Sequence, residues 1–232
     1  MSEVSRTHFF DNKEDKHLDD RNVHFWRALV GHVQADRSVP TGSTLLDVGC
    51  HQGGLLELLH ERLKPAKMIG LEPLLSARQV AAQRLARVSC EVHLHSAEGW
   101  SKLPDSSVDL VLGHEVLQYI ENPTWLMTEV RRVLTPNQFA YFVLGCHQEN
   151  PLWPDWKHQL EEIGHAVYDH SPLELMAMGA SIGLAPSVRP LRDTGWAYHD
   201  PSIAGAFSYP SVGALLDHQF RHKLLFRFER RE

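Results

Sequence analysis

Residues 45–54 read Leu-Leu-Asp-Val-Gly-Cys-His-Gln-Gly-Gly. Leu45, Leu46 and Val48 suit a short strand buried on both faces, and the run ends in a cluster of glycines. Gly53 opens a helical stretch to Leu63, in which Leu55, Leu56, Leu58 and Leu59 form a wide apolar stripe. A strand that turns through glycines directly into a helix lets the backbone approach a ligand, and the helix start offers free N–H groups. In open α/β sheets such turns lie at the carboxyl ends of strands, where ligands bind. Asp47 stands inside this turn, two positions before Gly49.

The pattern continues on both sides. Upstream, His17 to Gln34 carries Val23, Trp26, Leu29, Val30 and Val33 at helical spacing, and Pro40-Thr41-Gly42 breaks the chain. Downstream, Pro65 ends the helix, Lys67–Leu71 reads as a second strand and Ser76–Arg87 as a helix. Cys90–Leu94, Val108–Leu112 and Phe139–Leu144 read as further strands, with a helix over Thr124–Leu134 introduced by Asn122-Pro123. Strands and helices in alternation imply a parallel sheet with right-handed crossovers. Beyond 145 the rhythm loosens. Helices are expected near Trp156–Ile163 and from Ser171-Pro172 to Gly183, with strands at Ser187–Leu191 and Leu224–Phe228. The expectation is one α/β domain: a helical cap over 1–40, a ligand-binding core over 41–145, and a C-terminal part over 146–232 with substrate-side insertions and closing strands.

Composition bounds the class. The 232 residues are 43% hydrophobic and 22% charged, as expected of a globular chain. Against 23 Lys and Arg stand 29 Asp and Glu, a net charge of −6 that disfavours general binding to a phosphate backbone. Cys50, Cys90 and Cys146 form no C-x-x-C pair, which suits a reducing compartment. The polar start is unlike a signal peptide, and no apolar run approaches the ~18–20 residues needed to span a bilayer. A cytoplasmic protein without membrane association, monomeric or homodimeric, is expected.

Glu72 closes the second strand, 25 residues after Asp47, where a carboxylate can accept hydrogen bonds from both hydroxyls of a ribose. The third strand runs into His95-Ser96-Ala97-Glu98, and the fourth lies in PDSSVDLVLGHEVLQYIENP, residues 104–123. With Asp47-Val48-Gly49-Cys50-His51-Gln52-Gly53 and EVRRVLTPNQFAYFVL (129–144), this resembles the class I S-adenosylmethionine-dependent methyltransferases, most closely their broad small-molecule group. The likeness runs from about residue 43 to 145 and continues faintly through GHAVYDHSPLELMAMGASIGL, residues 164–184. It implies a doubly wound, mainly parallel seven-stranded sheet whose last strand is antiparallel, with helices on both faces. S-adenosylmethionine is the implied cofactor. Gly49, Cys50, His51 and Gly53 would line its methionine and ribose, Glu72 with Pro73 would hold the ribose, and Asp47 would order the loop. Ser96, Ala97 and Glu98 would flank the adenine, and Gly113 and His114 would face the methionine end. Two positions depart from the family pattern: His51 replaces a central glycine, and Ser96 stands where many relatives carry Asp.

A sulfonium methyl is already activated, so the protein's share is to position the acceptor and to remove its proton where it carries one. Histidine suits the second task, and the chain has 16. His51, His95, His114 and His147 fall at strand ends on the ligand edge, and His147, just after the fifth strand, is the expected base. His93 and His95 share a strand face without a third ligand nearby, so no metal site is expected. Substrate walls are expected from Phe9-Phe10, Trp153, Trp156, Tyr168, Trp196 and Tyr198, with 193–210 as a candidate lid. The implied reaction is methylation of an oxygen or nitrogen of a small, aromatic or heteroaromatic molecule. Four rivals are weighed against it. A dinucleotide enzyme needs G-x-G-x-x-G, which Gly49–Gly53 does not supply. An amino-methylating nucleic-acid enzyme resembles an Asn/Asp-Pro-Pro-aromatic loop after strand four, where Gly113-His114-Glu115-Val116 stands instead. A cofactor-binding protein serving a partner is suggested by His51 and Ser96, and a protein-methylating enzyme has no short signature to test.

Overall fold

A computed structural model describes residues 17–36, 42–202 and 207–232. Seven strands form one sheet: β1 (Thr44–Val48), β2 (Lys67–Leu71), β3 (Cys90–His93), β4 (Val108–His114), β5 (Leu134–Leu144), β6 (Leu184–Pro190) and β7 (Leu224–Arg230). Their order is β3-β2-β1-β4-β5-β7-β6. The first five pair in parallel, and β7 runs antiparallel to both β5 and β6. The helices are α1 (Leu18–Asp36), α2 (Gly54–Leu63), α3 (Leu75–Arg84), α4 (Ala97–Ser101), α5 (Pro123–Val133), α6 (Trp153–Glu162), α7 (Pro172–Ser181) and α8 (Val212–Asp217).

Strand side chains alternate between two cores, as the period of two requires. Leu45, Leu110, Leu112, Tyr141 and Val143 face α1, α2 and the end of α3. Leu46, Val111, Phe142, Phe226 and Phe228 face α5, α6 and α7. Covering both faces explains the unbroken apolar runs of the parallel strands. Because β1 neighbours both β2 and β4, the connections diverge there, and a cleft opens at the carboxyl ends of β1 and β4.

Three element starts move by three residues or more. β5 begins at Leu134 rather than Phe139, because Pro136 and Asn137 (φ 61) are taken up in an irregularity where the pairing shifts between Val108 and Leu110. β6 is an edge strand, so it tolerates Pro186 and Pro190 and starts earlier, at Leu184. α6 starts at Trp153, with Pro154 in its first turn, where its missing N–H costs nothing.

Phe142 is fully buried near the carboxyl end of β5 and meets Phe228 edge-on at a centroid distance of 6.4 Å. Phe142→Ala should lower unfolding free energy by about 3–5 kcal/mol in urea denaturation. A loss below about 1 kcal/mol would show that this core is not packed as described.

Candidate functional site

The turn after β1 is built by three residues with left-handed backbone: Gly49 (φ 75), His51 (φ 47) and Gly53 (φ 81). A Cβ on Gly49 would lie 2.8 Å from Val116 Cγ2, so that position is closed to a side chain from both causes. The Gly49 and Cys50 amides donate to the Leu71 carbonyl at 2.7 and 3.1 Å, tying the turn to the end of β2. His51, at the glycine position of the family loop, keeps the left-handed conformation and so preserves the turn.

Glu72 is 1% exposed. Its Oε2 accepts from the His51 amide and its Oε1 from the Leu74 amide, each at 2.9 Å. Every carboxylate oxygen has a second acceptor direction, so both remain able to receive a ligand hydroxyl. Burial raises the Glu72 carboxyl pKa, opposed by the backbone donors and by Arg78. Asp47 is also fully buried, and burial with Glu72 nearby pushes its carboxyl well upward. Its Oδ1 has no partner among the described residues, although it borders the cavity.

That cavity, about 780 Å³, lies over the carboxyl ends of β1 and β4 beneath the first turns of α1. It is within the size of small-molecule sites. Asp47, Gly49, Cys50, His51, Glu72 and His114 all border it. At its other end stand Trp156, Tyr198, Tyr209, Arg192, His218 and Lys223. Glu115 (φ 52) accepts from the Gly145 amide at 3.0 and 3.1 Å and pairs with the buried Lys223 ammonium, which lies 4.1 Å from the centre of the Phe25 ring.

Three imidazoles on the cavity, those of His24, His114 and His218, are held toward the neutral form. Burial, reinforced by Lys223, Arg192 and Arg27, lowers the His24 pKa to about 4. Burial, then Lys223 and His24, lowers that of His114 well below the usual value, and both Nε2 atoms lack partners among the described residues. His218 is likewise lowered by burial and Lys223.

His147 is placed elsewhere. It does not border the cavity: Nε2 donates to the His222 carbonyl at 2.7 Å and Nδ1 accepts from the Glu149 amide at 3.2 Å. With both nitrogens engaged in the fold, the ring has no site left for an acceptor's proton. The adenine-side expectations are not brought to the cavity either. Ser96 caps α4, accepting from the Gly99 amide at 3.3 Å, and Glu98 is exposed and paired with Lys102 at 3.5 Å. Pro73, Gly53 and Gly113 do not line the cavity, and Gly113 packs against Phe142 and Val116. Of the expected aromatic walls, Trp156 and Tyr198 face the cavity, whereas Trp153 is a core residue whose Nε1 donates to Asp169 at 2.8 Å. Trp196 is 82% exposed, Tyr168 lies off the cavity, and Phe9-Phe10 fall outside the described residues. In the 193–210 stretch, Tyr198, His199, Asp200, Phe207 and Tyr209 line the cavity, and 203–206 lie outside the described residues. His24, Arg192, His218 and Lys223 carried no sequence signal, because each reaches the site from an element remote from the glycine turn. Among the described residues no group of His, Cys, Asp and Glu is arranged to hold a metal, and no helix is long and apolar enough to cross a membrane.

The strand order and a glycine turn facing a buried Glu define the class I S-adenosylmethionine-dependent methyltransferase fold. Residues 46–142 match the family described as a methyltransferase domain. The trans-aconitate 2-methyltransferase of Azoarcus sp. (strain BH72) is 27% identical over 142 residues, 61% of this chain and 53% of that protein. A chain from the Haloferax volcanii complex of the Trm112 methyltransferase activator with a methyltransferase superposes with TM-score 0.76 at 21% identity, over 94% of this chain and 93% of that one. The geranyl diphosphate C-methyltransferase of Streptomyces coelicolor A3(2), solved with Mg2+, geranyl diphosphate and S-adenosyl-L-homocysteine, gives 0.65 at 18% identity, over 98% and 90%. The chain spans about half the length of the curated relatives it matches.

The lowered histidines give a direct check. His95, off the cavity, is lowered by burial to about 4 like His24. An unfolded chain binds these protons first, so their contribution to stability is complete above pH 6.5 and is lost as pH falls through about 4. Ring proton shifts followed by NMR should show both titrating near pH 4, and a midpoint near 6.5 for either would contradict its burial.

Proposed function

We propose that the protein is an S-adenosylmethionine-dependent methyltransferase acting on an oxygen or nitrogen of a small molecule. The observation that carries this reading is the Glu72 carboxylate, held by the His51 and Leu74 amides on a cleft beside a positive-φ glycine turn. The residues fit the cofactor. Glu72 would hold the ribose hydroxyls, Gly49 gives the close approach, and the unpartnered Asp47 Oδ1 offers an acceptor to a cationic or N–H-bearing group. Cys50 and His51 complete the loop side and His114 the methionine side, whereas Gly53, Pro73, Ser96, Glu98 and Gly113 do not line the cavity. When bound, S-adenosylmethionine supplies a methyl group already activated by its sulfonium.

The chain's own work is then orientation, exclusion of water and, for a protonated acceptor, removal of a proton. α1 covers the cleft, with Phe25 and Trp26 buried against it, which keeps bulk water from the acceptor. The base is not His147. His114 and His24 present to the cavity rings whose Nε2 atoms lack partners among the described residues, and are two imidazoles placed to take a proton. The small-molecule reading is supported by a cavity of about 780 Å³ and by the chain's net charge of −6.

Calorimetric titration with S-adenosylmethionine and S-adenosylhomocysteine tests the reading, and micromolar binding of either is expected. Glu72→Gln should weaken S-adenosylhomocysteine about tenfold or more, because a charge-assisted acceptor is lost. Unchanged affinity would remove Glu72 from the ribose. His147→Ala should cost about 1–3 kcal/mol of stability by stranding the His222 carbonyl and Glu149 amide, with the saturated methylation rate kept. A specific rate collapse in a stably folded variant would reinstate it as base.

A further inference from the structure

The cavity is polar at both ends but with opposite sign. Carboxylates, Asp47 and Glu72, stand at the glycine-turn end. The opposite end carries Arg192, His218 and Lys223, with one carboxylate, Glu115, already engaged by Lys223 and the Gly145 amide. Arg192 is half-buried on the cavity and has no carboxylate within ion-pair distance among the described residues. Its guanidinium is aimed instead by the Gln219 side chain at 3.4 Å, the Trp196 carbonyl, and the rings of Tyr198 and Phe220 at 5.6 and 5.2 Å. A guanidinium held without a counter-ion is a ready fork for a carboxylate.

His218 adds a second donor, and its tautomer is fixed by its neighbours. The Asn150 amide oxygen accepts from the Leu152 amide at 3.1 Å, and its NH2 group donates to the Gly145 carbonyl at 2.6 Å. The same NH2 lies 3.2 Å from His218 Nδ1, which must therefore accept. In the neutral ring the proton is then on Nε2, making His218 a donor rather than a base. Lys223 supplies a third donor group; Glu115 occupies one of its protons. His218, Gln219 and Lys223 are brought together by one π-helical turn, His218–His222, a wide turn that recurs at functional sites.

The surroundings are aromatic. Trp156 packs edge-on against Phe207, Tyr209 and His218 at 5.3, 5.6 and 4.8 Å. The acidic residues at the mouth have other partners: Asp19 pairs with Arg84 at 2.5 Å and Asp20 with His17 at 3.5 Å. Asp200 accepts from the Ser202 hydroxyl at 2.7 Å.

We propose that the Arg192–His218–Lys223 end of this cavity seats the carboxylate of an aromatic or otherwise apolar organic acid, so that the acceptor is an anion. This deepens the methyltransferase reading and rests on it only for what happens to the acid once bound. The field that lowers the His24 pKa, from Lys223, Arg192 and Arg27, acts in the direction that attracts such an anion.

The test compares acids with their primary amides on the full chain saturated with S-adenosylhomocysteine: benzoate, cinnamate, 2-naphthoate and decanoate, each against its amide, by calorimetry. At least one acid should bind tenfold or more tightly than its amide. Arg192→Gln should erase that preference while leaving amide and S-adenosylhomocysteine affinities unchanged, a pattern that mere loosening of the 192–198 segment would not give. Arg192→Lys, which keeps the charge but loses the fork, should retain part of it. The proposal is overturned if no acid is preferred over its amide, or if Arg192→Gln weakens acid and amide equally. Binding of S-adenosylhomocysteine without acid preference sinks this inference alone. Acid preference without S-adenosylhomocysteine binding, measured on the unliganded chain, keeps the seat and sinks the methyltransferase reading.

Discussion

The site depends on one buried carboxylate. Glu72 stands at the end of β2, yet its two oxygens hold the amide of His51, in the turn after β1, and that of Leu74, ahead of α3. Those bonds satisfy two amides that burial would otherwise strand, each at a cost of about 1–3 kcal/mol. They also fix the left-handed residue at the tip of the turn. The shape of the cleft is therefore set by a long-range bond between adjacent strands as much as by the glycines. A ligand that donates to Glu72 adds to a network already in place, and pays little to organise it.

The core of this arrangement was legible because its parts are local. Strand, turn, helix and second strand follow within thirty residues, so apolar runs, glycines and the carboxylate fall in one window. Parallel strands covered on both faces also announce themselves as unbroken apolar runs. The misplaced boundaries occur where tertiary structure overrides local preference. Pro136 and Asn137 read as a turn but sit in a strand irregularity, and Pro186 is tolerated because β6 is an edge. α4, five residues long, is too short to show a helical period.

The far wall was not legible, and the reason is the same physics. Arg192, His218 and Lys223 come from loops and from the turn before β7, and they meet the cleft only once the antiparallel β6 and β7 have closed the sheet. No periodicity connects residues that far from the glycine turn. His147 shows the converse error. Its position after β5 is favourable in sequence, but the pairing of its two nitrogens with the His222 carbonyl and Glu149 amide is invisible until the chain is folded.

Charge teaches a related lesson. The chain carries a net −6, which argues against a general polyanion partner, yet one end of its cavity gathers two cations and a neutral donor within an aromatic wall. Both statements hold because recognition of a small molecule is governed by the few groups that share its desolvated space, where interactions are least screened. The direction of those groups is set by neighbouring side-chain amides. Asn150, through the Leu152 amide and the Gly145 carbonyl, decides which nitrogen of His218 carries the proton; Gln219 holds both Arg192 and the backbone of Tyr198. The chemistry presented to a ligand at this end thus belongs to a network of buried amides, in which Gln219 borders the cavity and Asn150 does not.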